Sequence, residues 1–338
     1  MKKVLFATSA LVLSAGFASA EVAVSGDGRM GMIYDGNDVQ FSSRARVLFT
    51  LTGESDAGLS FGGKFRVDQE NYSSNAYRSA ARGTAGQVWI SGTYGKLAMG
   101  DVVSASEAAI GDLYEIGYTD GAFAGDQEEI KYLTADGENL NQGPSILYSY
   151  GVNGFTFYAS ASDGSTNVCA GAITGSGTII GYDADGRAIV DGCVDNEDTD
   201  IAYSLAAAYE AGNYNVGLGY AKHGDADEIV LGGEAKFDQF SVKGVYAKWS
   251  DRFTGGADSE KLDSSIGLSA AYQADAVLVK GFYIRDKFKY AVADSESFDS
   301  FGIGADYDLG GGATLAGAII DTDYLNDTVA DLGVKFKF

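Results

Sequence analysis

"DLGVKFKF", Asp331 to Phe338, is the stretch that decides how this 338-residue chain is built. Leu332, Val334, Phe336 and Phe338 fall on one face of an extended strand, and Asp331, Gly333, Lys335 and Lys337 on the other. The segment is amphipathic to its last residue, whereas terminal segments that nothing ties down usually fray. Something apolar must receive the first face and something wet the second.

The same two-residue period recurs from Glu21 onward. In "FSSRARVLFTLT" (41–52), Ala45, Val47, Phe49 and Leu51 oppose Arg44, Arg46, Leu48, Thr50 and Thr52. In "LSFGGKFRVD" (59–68), Leu59, Phe61, Phe65 and Val67 oppose Ser60, Lys64, Arg66 and Asp68. "FTFYASAS", "SVKGVYAKW", "VLVKGFYIRDK" and "TLAGAIIDTD" alternate similarly, so strands with one apolar and one polar face are expected throughout. Short connections such as "GVNG", "EAGN", "YQADA" and "LGGGA" carry turn chemistry. They alternate with longer segments at 34–40, 69–85, 101–143, 163–199, 223–228, 250–261, 287–297 and 322–328. These markers divide the chain into about sixteen strands, an even number, as closed bacterial barrels require.

Composition agrees. There are 47 Gly, 21 Tyr and 18 Phe against one Pro, which suits long strands and tight turns. A soluble sandwich would bury the apolar faces in a core; a membrane barrel would turn them to lipid and keep the polar faces wet. Alternating short turns and long loops favour the barrel, and only a closed sheet pairs every backbone group in lipid without helices. The last strand would then pair with the first, "EVAVSGDGRMGMIY", and close the ring. A net charge of −23 argues against nucleic acid as a partner.

Residues 1–20, "MKKVLFATSALVLSAGFASA", read as a cleavable export signal, with Lys2 and Lys3, a short apolar run and Ala18-Ser19-Ala20 before Glu21. Residues 21–338 form the barrel. Cys169 and Cys193, in an exported chain, are expected to bridge within the fourth long loop, with free thiols as the alternative. Catalysis finds no support: His223 is the only histidine, and no glycine-rich stretch leads into a helix pattern.

Several blocks carry a family resemblance: "GDGRMGMIYDG", "FSSRARVLFTLTGESDAGLSFG", "MGDVVSASEAAIGDLYEIGYTD", "GNYNVGLGYAK" and the closing "YDLGGGATLAGAI…VADLGVKFKF". They resemble the general diffusion porins of the purple-bacterial (Rhodobacter-type) group, weakly only near 163–199 and 251–261. The resemblance implies a sixteen-stranded antiparallel outer-membrane barrel, a homotrimer in outer-membrane lipid and lipopolysaccharide, and a third loop folded inward to narrow the pore. It implies that Phe338 belongs to the signal read by the outer-membrane assembly machinery.

The loop at 101–143 holds Glu107, Asp112, Glu115, Asp120, Asp126, Glu128, Glu129, Asp136 and Glu138 against Lys131. Opposite it, Arg29, Arg44, Arg46, Lys64 and Arg66 lie on polar strand faces. A constriction is expected between Arg29, Arg44, Arg46, Lys64 and Arg66 on the wall and Glu107, Asp112, Glu115 and Asp120 on the loop. Its transverse field would order water and pass ions and small hydrophilic solutes by passive diffusion. No cofactor is required, but crowded carboxylates invite a hard cation. The resemblance puts a structural Ca²⁺ at Glu107, Glu128 and Asp136. A substrate-specific channel is the rival within the same architecture; an adhesin or a barrel-borne enzyme are the rivals outside it.

Overall fold

The computed structural model describes residues 21–71, 86–133, 145–162, 179–182, 188–190, 201–253, 260–290 and 294–338. Seven strands precede the fourth long loop: β1 (Glu21–Tyr34), β2 (Val39–Glu54), β3 (Ser60–Asn71), β4 (Gln87–Gly92), β5 (Gly95–Gly100), β6 (Ser145–Val152) and β7 (Phe155–Ser162). Within that loop β8 (Ile179–Tyr182) pairs with β9 (Ala188–Val190) in a separate two-stranded sheet, where only loop was expected. Nine strands follow: β10 (Tyr203–Ala211), β11 (Tyr214–His223), β12 (Ala226–Phe237), β13 (Phe240–Phe253), β14 (Lys261–Ala274), β15 (Val277–Lys289), β16 (Glu296–Gly310), β17 (Ala313–Thr322) and β18 (Asp327–Lys337).

Leaving out β8 and β9, sixteen strands close an antiparallel barrel in which each pairs with its neighbours in sequence. The ring closes where β1 meets β18, with Met30 opposite Val334 and Arg29 opposite Lys335. Closure gives every strand of the ring a neighbour on both sides, so the barrel has no edge strand. Short turns force this connectivity. Asn153 and Gly154 both sit at positive φ, as a two-residue turn twisted with its strands demands; Asp238 and Asp275 take positive φ at the β12–β13 and β14–β15 turns.

The two faces of the wall differ as the period predicts. Met30, Met32, Val47, Leu51, Leu218, Leu231, Leu268, Ile303 and Leu332 are exposed on the outside. Residues between them, such as Arg29, Ser204, Ser269 and Asp331, are buried on the inside. In a membrane the exposed face meets hydrocarbon.

Candidate functional site

Segment 101–133 leaves the end of β5 and runs along the inner face of the wall. It begins with helix α1 (Ala105–Ile110), capped by the Ser104 hydroxyl, which accepts from the Glu107 N–H. The Ala105 N–H donates to Ser160 Oγ on β7 at 2.9 Å, and the Ser106 N–H to Ser204 Oγ on β10 at 3.1 Å. Farther on, the Tyr114 N–H reaches Ser269 on β14 and its hydroxyl donates to Glu234 on β12 at 2.7 Å. At the far side of the ring, Thr119 donates its N–H and hydroxyl to Asp331 on β18 at 2.9 and 2.8 Å. Arg29 Nη1 on β1 donates to the Thr119 carbonyl at 2.6 Å. The segment then returns: Lys131 pairs with Asp286 on β15, and the Leu133 N–H donates to Glu228 on β12. One segment that touches β7, β10, β12, β14, β15, β18 and β1 on their non-lipid faces lies inside the ring.

Packing holds it there. Leu113, Ile116, Ile130 and Tyr132 of the loop join Val230, Val245, Ile284, Ile320 and Val329 of the wall in one buried apolar cluster. Each fully buried aliphatic side chain contributes roughly 1.5–3 kcal/mol. Glycines make room for the closest approach. A Cβ at Gly31 would lie 2.9 Å from the Tyr118 ring and one at Gly333 2.7 Å from it, so β1 and β18 carry no side chain where this fully buried aromatic seats.

The opposite part of the inner wall carries the cations. Lys335, Arg29 and Arg44 stand directly across from one another on β18, β1 and β2. Like charges so opposed destabilise a sheet unless carboxylates intervene. Asp120 supplies one, 2.9 Å from Lys335 Nζ and 3.8 Å from Arg29 Nη1; Asp27 supplies another, 3.1 Å from Arg44 Nη2. The next row runs Lys337, Asp27, Arg46, Asp68, and Arg46 clasps Asp68 through two nitrogens at 2.9 and 2.8 Å. Arg66 shares Asp68 at 3.1 Å. A cleft of about 550 Å³ lies between Arg29, Arg44, Arg46 and Lys335 on the wall and Glu115 and Asp120 on the loop. An adjoining one of about 460 Å³ is lined by Lys64, Arg66, Lys96 and Asp101.

The expected constriction residues therefore separate. Arg29, Arg44, Arg46, Glu115 and Asp120 meet around one cleft, and Lys64 and Arg66 line its neighbour. Asp112 and Glu107 do not line either. Asp112 accepts the Ile130 N–H at 2.7 Å inside the loop, and Glu107 rides on α1, which packs against β7, β10, β11 and β12. Asp27, Asp101, Asp306, Lys335 and Lys337 line the clefts and were not anticipated, nor was Asp68, which pairs with Arg46 and Arg66 beside them. The register of closure was the missing signal, since it alone sets Lys335 beside Arg29.

Burial raises the Asp112 carboxyl above its ordinary range, and the Ile130 N–H only partly offsets this. Loss of solvent raises Glu115 too, and Asp120 beside it raises it further. Both take up protons above the usual carboxylate range near ~4. Acidification should therefore remove negative charge from the loop early, and anion permeation should rise as pH falls. Reversal potentials between pH 8 and 4 measure this; a midpoint at or below ~4 would contradict the raised values.

Glu128 is fully buried, and neither carboxylate oxygen has a hydrogen-bond partner among the described residues. Burial first, then Asp126, Glu115 and Glu129, push it up to about 8. The calcium set is not assembled among the described residues. Asp136 lies outside the described residues, and no three metal-ligating side chains converge among them. Cys169 and Cys193 also lie outside them. Phe338 is exposed, exchanges backbone hydrogen bonds with Gly26 at 2.8 and 3.4 Å, and packs edge-on against Phe336.

Residues 7–327 match the family model for Gram-negative porins. A porin of Rhodobacter capsulatus is 38% identical over 343 residues, covering 94% of this chain and all of that one. A porin of Fuscovulum blasticum is 28% identical over 332 residues with the same coverage. Among solved structures, a porin refined at 1.8 Å superposes with a TM-score of 0.72 and 37% identity, covering 94% of this chain and all of that one. A mutant of Rh. blastica porin reaches a TM-score of 0.64 at 23% identity over the same share, a likeness of fold.

Proposed function

From the premise that this chain belongs to the Gram-negative porin family, and is an outer-membrane general diffusion porin rather than an enzyme, we propose that its solutes are sorted between Asp120 and Glu115 on the loop and the row Lys335–Arg29–Arg44 on the wall. The observation that carries this is Asp120, bridging Lys335 and Arg29 across the meeting of loop and wall. Glu115 and Asp120 on the loop and Arg44 and Arg46 on the wall line the same cleft, and fixed charges of opposite sign on its two sides set up a field across the passage. Water and dipolar solutes align in such a field, and an apolar solute must displace that water, so small hydrophilic molecules and ions pass preferentially.

We further propose that the barrel works as a trimer. β4 and β5 are six residues each, about 20 Å along the strand at ~3.3 Å per residue and less when tilted. An apolar band about 25 Å tall needs longer strands. β13 to β16 run 13 to 15 residues. The low side of the wall, with exposed Val88, Ile90 and Met99, therefore suits contact with a second copy better than contact with lipid. The number three comes from the resemblance, as does the role of Phe338 in outer-membrane assembly. Single-channel recording in a planar bilayer tests pore and oligomer together: ohmic conductance closing in three equal steps is expected. A silent protein would overturn the porin reading, and single-step closure would overturn the trimer.

A structural calcium at the third loop rests on Glu128, whose buried oxygens require either a proton or a cation. A rise in unfolding temperature on adding Ca²⁺, abolished by Glu128→Gln, is expected if a cation fills that role. Identical melting with Ca²⁺ and with chelator assigns the role to the proton.

A further inference from the structure

Between the start of the third loop and the short turns, on the lumen side of β3 to β6, directly opposed residues form three rows. The row nearest the loop holds Lys64, Gln87 and Gly100. Two residues nearer the turns the row reads Gly62, Trp89, Ala98, Leu147, and two farther on Ser60, Ser91, Lys96, Ser149. Alternation fixes the side, because Phe61, Phe65, Ile90, Leu97 and Tyr148 between these positions are exposed outward. Along the wall a cation, an apolar row and a row of donors thus follow one another.

The first and third rows lie four residues apart, about 13 Å at ~3.3 Å per residue. Lysine stems are long enough to lean across apolar surface toward each other. Lys96 does lean: its ammonium is 4.8 Å from the centre of the Trp89 ring, in the middle row. The indole is seated over Gly62, where a Cβ would come within 2.5 Å of it. Such a contact orients the ammonium without neutralising it. Lys64 and Lys96 line one cleft of about 460 Å³ together with Ala98, Leu147 and Ser149. Arg66 and Asp101 line the same cleft, and Arg66 is held by Asp68 at 3.1 Å. Neither Lys64 nor Lys96 has a carboxylate partner among the described residues.

Two unneutralised positive ends with a short apolar floor between them match a solute with a negative charge at each end and methylenes in the middle. We propose that this stretch of the lumen wall is a holding site for a linear aliphatic dicarboxylate. One carboxylate is received by Lys96 and by the Ser91 and Ser149 hydroxyls on either side of it, the other by Lys64. The methylenes lie on Ala98 and Leu147. Ammonium donors to carboxylate make the shorter and stronger class of hydrogen bond. A monocarboxylate leaves one ammonium unanswered, and inorganic phosphate is too compact to meet both ends. The site raises the local concentration of such dianions just beyond the narrowing. Its place in the passage rests on the porin reading; its ligand class rests on the three rows.

Chloride current through the purified protein in a planar bilayer tests it, with succinate added on the short-turn side at low salt and neutral pH. Succinate is expected to reduce the current saturably, each variant's own open current serving as its reference. Lys64→Gln/Lys96→Gln should raise the half-saturating concentration at least about tenfold, because a charge-assisted bond is lost at each end. Lys64→Arg/Lys96→Arg should keep most of the effect, and butyrate or inorganic phosphate at equal ionic strength should act far more weakly. Lys280→Gln separates a site from the general field, since it removes an inner-wall lysine that pairs with Asp306 at 3.1 Å on other strands. The half-saturating concentration should stay where it was in that variant. An equal shift in Lys280→Gln would overturn the site, as would a succinate effect that never saturates or that survives in Lys64→Gln/Lys96→Gln. Butyrate or phosphate acting as strongly as succinate would overturn the dicarboxylate. A protein that conducts no chloride would instead indict the porin reading, and equilibrium dialysis of succinate against the detergent-solubilised protein would then decide the site on its own.

Discussion

Replacing Arg44, Arg46 and Arg66 together by glutamate is expected to turn the passage toward cations by about tenfold in permeability ratio at low salt, the equivalent of ~1.4 kcal/mol in an ion's local free energy. Each change reverses a charge in or beside the cleft that also holds Glu115 and Asp120. Asp27 and Asp68, which now neutralise these arginines, would become additional unpaired carboxylates. The barrel should survive, because wet ion pairs of this kind contribute only ~0–1 kcal/mol each while the backbone ladder is untouched. The effect must shrink with salt, as the screening length falls from ~30 Å at 0.01 M to ~3 Å at 1 M. Reversal potentials across a salt gradient are the measurement. An unchanged ion preference at low salt would mean that permeating ions do not pass this wall.

The second large effect concerns the path of the loop. Tyr118→Ala with Asp331→Ala removes the seated aromatic and the acceptor of both Thr119 bonds. Losing a buried aromatic costs about 3–5 kcal/mol, and each buried donor left without a partner about 1–3 kcal/mol. Most of these costs fall on the attachment of the loop tip: within the wall the Ala318 N–H loses its Asp331 oxygen, but the β1–β18 and β17–β18 ladders keep their backbone pairs. Conductance should rise and become noisy as the tip leaves the wall, on the microsecond-to-second scale of lid opening and local unfolding. Tyr118→Phe keeps the ring and should keep the quiet trace. A double variant with unaltered conductance would show that the tip is not the narrow point.

Much of the barrel was legible because its strands obey one rule. Arg44, Arg46 and Arg66 were assigned to the wet face from alternation alone, and the wall places them there. Alternation fails where both faces are apolar. Ile319 is exposed to the outside while Ile320, its neighbour, is fully buried inside, because the loop covers the inner face there. The period cannot say which inner positions are dry. Nor can it give the route of a loop. Glu107 and Asp112 looked equivalent to Glu115 and Asp120 in sequence, yet the helix at Ala105–Ile110 and the Ile130 bond turn the first two elsewhere. Long-range register is likewise invisible to local pattern, so Lys335 was read as a polar strand residue and not as the neighbour that shares Asp120 with Arg29.

The segment along the inner wall has a mechanical meaning as well as an electrical one. A tube one strand thick resists stretching along its hydrogen bonds but is easily flattened from the side. Anchored at Ser160 and Ser204 near one edge and at Asp331 and Arg29 near the other, the segment acts as a cross-brace. Squeezing the tube along that line must compress the brace or break its end fastenings. Lateral pressure from the surrounding bilayer then bears on the fastenings at both ends, one of which, at Thr119 and Asp120, adjoins the charged wall. The cross-section of the tube and the width of the passage are thereby made a single variable.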